Sequence, residues 1–153
     1  PSWQALRAAL PPAGNGGVRL RMQLELARRG LAGDESWREA CAAAEATGQR
    51  ALAGLAWMVR TELALRRGYA ADALEGARAL QGLHAQVRHL YVDEALLRAT
   101  VCRALDQGGE AAEARALRRA AADWASVTVL PGLPATHRER WRTRPDLATL
   151  WAS

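Results

Sequence analysis

Phenylalanine, isoleucine and lysine are absent from this 153-residue chain, which also has only two tyrosines and two cysteines. Sheet cores draw on β-branched and aromatic side chains, so a chain this poor in them has little to build strands from. Cys41 and Cys102 lie in alanine-rich stretches without a partner motif and read as small buried thiols. A reducing, cytoplasmic compartment follows as the expectation. The longest apolar run, Ala51–Val59, is far shorter than the roughly 20 residues a membrane span needs. No secretory leader is visible, and the opening on Pro1 suggests a piece of a longer protein.

The motifs of catalysis are missing as well. Gly14-Asn15-Gly16-Gly17 has neither a preceding strand nor a following Lys-Ser/Thr, so it is no phosphate loop. There is no Gly-x-Ser-x-Gly elbow, and neither cysteine has a plausible histidine relay. His84 and His89 stand five apart and point in different directions on a helix, while His89 and Asp93 at i,i+4 give only two ligands. The acid pairs Glu110/Glu113 and Asp93/Glu94 fall at helix starts, where carboxylates favour the dipole. The expectation is no enzyme, no catalytic residue, no metal and no cofactor.

What is present is helix. Alanine and leucine supply 57 residues, and half of the chain is hydrophobic, enough for a sizeable core. An all-α domain covering 1–153 is expected. The charge is +5, carried by arginine alone and spread evenly: 10 Arg against 8 acids over 1–76, and 11 against 8 over 77–153. Only Arg138, Arg140, Arg142 and Arg144 cluster, diluted by Glu139. That cluster supports an alternative reading, a nucleic-acid-binding helical domain, though without a recognition helix or a basic stripe.

Breakers divide the chain into segments. A short helix over 2–10 ends at Pro11-Pro12 and the glycines that follow. Val18–Leu26 alternates like a strand, but its residue types and the Leu20, Leu24, Ala27 stripe favour a helix. Further helices are expected from Asp34 or Ser36 to about Thr47, Gln49–Arg67, Ala70–Leu83, Val87–Asp106 and Glu110–Ser126. Glu39 completes a possible capping box in the first of these. Val127–Pro134 is expected to be an extended connector, followed by short helices near 135–142 and 145–152.

Three helix–turn–helix units recur, over about 17–47, 48–83 and 87–126, with a cap over 134–153. The order Trp57, Gly68, Ala73, Ala77, echoed by Gly109, Ala114 and Ala121, resembles the tetratricopeptide repeat. Glycine spacings of 38 and 41 exceed the nominal repeat of about 34, and Arg60 and Thr61 replace an apolar and a small residue. The longer, degenerate form resembles the repeats of bacterial ATPase- or kinase-linked transcriptional regulators. The Leu133-Pro134…Arg144-Pro145 tail resembles the ending of such proteins, with Trp141 for the usual Phe and Arg142 for the usual Leu.

The resemblance implies an α-solenoid whose first helices line a concave face for a peptide or helix of a protein partner, or for other domains of the same polypeptide. Carried over by position, that face comprises Leu20, Leu24 and Arg28, then Leu55, Met58, Glu62 and Arg66, then Leu96, Ala99 and Arg103. The same spacing equally fits core packing. Trp141 and Trp151, with Leu147 and Leu150, are expected to fold the tail back as a cap. Trp3 and Trp37 find no place in this scheme.

Overall fold

The computed structural model describes residues 16–31, 34–86 and 92–152; the expected helix over 2–10, Trp3 and His89 lie outside them. Among the described residues every regular element is helical and there is no strand. Helix α1 spans Gly16–Arg28. Its alternating sequence coils because Leu24 and Ala27, three apart, bury on one side while Val18 and Met22 stay exposed. Helix α2 spans Asp34–Ala46, so Ser36 sits within the helix and does not cap it.

Helix α3 (Arg50–Arg67) turns into α4 (Ala70–Gln86) through Gly68. Gly68 has φ 74°, a conformation that costs any side chain, and lets the Tyr69 N–H donate to the Ala64 carbonyl at 3.0 Å. Helix α5 spans Glu94–Gln107 and starts later than its apolar pattern predicted. The Asp93 carboxylate caps it, accepting from the N–H groups of Ala95 (2.9 Å) and Leu96 (3.4 Å).

Helix α6 spans Ala111–Trp124. The expected extended connector is instead coiled. A π turn over Ala125–Val129 and a 3-10 turn over Leu130–Gly132 bury Ala125 and Leu130, leaving Leu133 and Pro134 extended. Helix α7 spans Ala135–Arg142, and a 3-10 segment, Pro145–Trp151, ends the described chain.

Each of α1 to α5 packs on its successor. The first helices of the three units also touch in a row, α1 on α3 and α3 on α5, and the 3-10 tail lies on α5 and α6. Two apolar cores result, with α3 contributing to both. One gathers Leu24, Cys41, Leu52, Leu55 and Val59 from α1, α2 and α3. The other joins α3 to α4, α5, α6 and the tail through Met58, Leu80, Leu105, Leu147 and Leu150.

Thr61, the larger residue at a small-residue position, is fully enclosed and donates its hydroxyl to the Trp57 carbonyl at 2.7 Å. Its bulk is accommodated by Gly76 on α4, where a Cβ would collide with the Thr61 side chain. The tail is held by the enclosed Leu147 and Leu150, and by Trp141 and Trp151 meeting edge-on at 6.0 Å.

Candidate functional site

The apolar residues assigned to the concave face lie in the interior. Leu24, Leu55, Met58 and Ala99 are fully enclosed, Leu96 is 5% exposed, and Leu20 is half-buried against the N-terminal core. The reason is the row itself: α1, α3 and α5 press their leucines into one another and under the tail. Those side chains work as packing.

The charged members of the same face do come together. Arg28 Nε is 3.0 Å from Glu25, and its Nη1 is 3.7 Å from the Glu62 carboxylate on α3. Arg66 donates from Nη2 to the Arg28 carbonyl at 2.9 Å and from Nε to the Glu62 carbonyl at 3.3 Å. Arg103 donates to the Thr100 hydroxyl at 3.1 Å. Burial pushes the Glu62 carboxyl above its ordinary range, while Arg28, Arg103 and Arg66 pull it back down. A buried acid ringed by three arginines thus ties α1, α3 and α5 into one rim.

Below this rim, a groove of about 640 Å³ opens between Arg66, Arg103, Asp106, Arg118 and Thr149. It adjoins a cavity of about 320 Å³ walled by Arg115, Arg119, Leu150 and Trp151, the two sharing Arg118 and Ala152. Arg118 pairs with Asp106. The Arg115, Arg118, Arg119 stripe at i, i+3, i+4 is a signal that the motif-led reading passed over.

Trp37 also finds a place. With Trp57, Arg38, Arg60 and the exposed Tyr69 it lines a pocket of about 330 Å³, Arg38 and Arg60 lying 5.2 and 5.0 Å over the two indole rings. Its ring rests against the N-terminal core.

The C-terminal arginines are partly committed to structure. Arg144 bridges Asp146 (2.7 Å) and the capping Asp93 (3.3 Å), and Arg138 donates to the Leu133 carbonyl at 3.0 Å. Arg140 and Arg142 stand exposed on α7. His84 lies 3.6 Å from Glu94, and among the described residues no three His, Cys, Asp or Glu side chains gather as a metal site. Both cysteines are free and buried, and desolvation pushes each thiol up to about 11. Among the described residues no helix is long and apolar enough to cross a membrane.

No protein-family model matches the chain, and no curated protein or solved structure matches it either.

Proposed function

We propose that this chain is a non-enzymatic protein-interaction module: a degenerate tetratricopeptide-like α-solenoid of antiparallel helix pairs, serving a cytoplasmic bacterial signalling or transcription regulator. The observation that carries the reading is the order of contacts, in which each of α1 to α5 packs on its successor and α1, α3 and α5 also form a row. Helix pairs joined by turns such as the one at Gly68 supply that order. With the leucines enclosed, the partner-facing chemistry falls to the half-buried Leu20 and the Arg28, Arg66 and Arg103 rim, which suits an acidic peptide or helix.

The test uses the purified chain as bait in lysate at low salt and at about 0.3 M salt, where exposed charge pairs are screened. A discrete protein retained at the higher salt by the native chain and lost from Arg66→Gln and Arg103→Gln baits is expected. Recovery of no protein, or of nucleic acid at low salt alone, would overturn the reading; the second result would move attention to Arg140 and Arg142.

A further inference from the structure

We propose that the groove beside Arg66, Arg103 and Arg118 binds a small organic oxyanion, a phosphate ester or carboxylate whose apolar body enters the adjoining Trp151 cavity. The charge balance is the first reason. Three guanidinium groups line the groove beside one carboxylate, Asp106, and the buried Glu62 offsets part of the charge of Arg66 and Arg103, so the groove remains net positive. Asp106 occupies one arginine, Arg118, and the hydrogen bond of Arg103 goes to the neutral Thr100 hydroxyl.

The unpaired donors are the second reason. Among the described residues, four buried side-chain nitrogens have no acceptor: Trp37 Nε1, Arg103 Nε, Arg118 Nε and Trp151 Nε1. Three of the four belong to side chains that wall this groove or its neighbour. Buried donors are normally paired, because each left alone keeps the cost of its lost hydration. Two of them, on Arg103 and Arg118, sit at the cationic groove and the third, on Trp151, at the cavity beside it, a concentration that suits acceptor oxygens. The forked guanidinium geometry matches the two oxygens of a carboxylate or phosphate.

Shape is the third reason. The groove's volume of about 640 Å³ falls within the range of about 300–1,000 Å³ typical of small-molecule sites. The adjoining cavity offers Leu150, Trp151 and Ala122 as an apolar wall. Arg118 and Ala152 line both spaces, so one ligand can place its oxyanion under Arg103 and Arg118 and its body against the indole. The site does not depend on the protein-interaction reading, and a chain that captures no protein partner still has it.

Calorimetric titration at fixed ionic strength, with nitrogen-resolved NMR of indole and guanidinium Nε–H signals, tests this with phenyl phosphate, inorganic phosphate and phenol. Phenyl phosphate is expected to bind saturably and to shift the Trp151 indole and the Arg103 and Arg118 signals. Arg103→Gln should weaken it by about tenfold or more, as loss of a charge-assisted bond does. Arg50→Gln removes the same charge at the opposite end of α3 and should leave binding unchanged. Arg118→Gln also frees Asp106, so its melting curve is checked, and Arg103→Gln is the deciding variant. Inorganic phosphate binding as well as the ester would assign the site to the oxyanion alone; weaker binding would give the apolar cavity its share. Phenyl phosphate binding no better than phenol, or equal weakening by Arg50→Gln, would overturn the proposal.

Discussion

On one side of α3, the described helices α1 and α2 enclose Leu24, Ala27, Ala40, Cys41 and Ala44 against a single face of α3, and α1 leaves Val18 and Met22 54% and 41% exposed. On the other side, α3 meets α4, α5, α6 and the tail, and α5 is wrapped so fully that nine of its fourteen residues are buried. Both regions are made of the same alanine and leucine. The difference lies in how many neighbours each helix has, and it teaches that an alanine-rich chain gains stability from enclosure more than from large side chains. A helix walled on all sides is an anchor, whereas one with fewer neighbours leaves part of its apolar surface in water.

The largest expected effect tests that contrast. Leu105→Ala, in the enclosed helix, should cost about 3 kcal/mol in urea unfolding, within the span for buried leucine truncations. Leu24→Ala, equally buried but on α1, which packs on α2 and α3 among the described helices, should cost clearly less, since a helix with fewer neighbours relaxes into the space more easily. Equal losses would break the comparison. A smaller effect sharpens the α3–α4 seam. Gly76→Ala should cost about 2 kcal/mol through overpacking against Thr61, and adding Thr61→Ala should restore most of it.

The smallest concerns the rim between the two regions. Burial raises the Glu62 carboxyl, so its stabilising share is full below the ordinary carboxylate range and is lost as pH rises through the raised value. Glu62→Gln removes this titration while keeping a polar side chain in its place. Relative to the native chain, the variant should gain as pH rises from about 4 to 7, as read from unfolding midpoints across that range.

Much of the helical order was legible because the chain punctuates it. Gly68 and Gly109 stop helices where they were expected to, and α7 fills 135–142 as predicted. The misread boundaries share a cause, which is that apolar pattern says nothing of what a polar side chain will bond. Asp93 fixes the start of α5 by capping it, and the Val127–Pro134 stretch begins coiled because the π and 3-10 turns continue α6 and bury Ala125 and Leu130. The face was half legible. A stripe such as Leu55, Met58 and Glu62 marks one side of a helix but not which neighbour covers it, so leucines meant for a partner could equally lie against α1 and α5. Arg103 and Arg118, fifteen residues apart, meet only because α5 and α6 fold onto each other.

The two cysteines carry the contrast within the native chain, one in each core. Cys41 and Cys102 are equally inaccessible, and burial holds both thiols near 11, so at pH 8 neither reacts until its helix opens. Timed labelling with a thiol reagent, resolved by peptide mass, reads both openings in one experiment. Faster labelling of Cys41 than of Cys102 is the result expected of a core with fewer described helices around it beside a more enclosed one. Equal rates, or Cys102 labelling first, would contradict it.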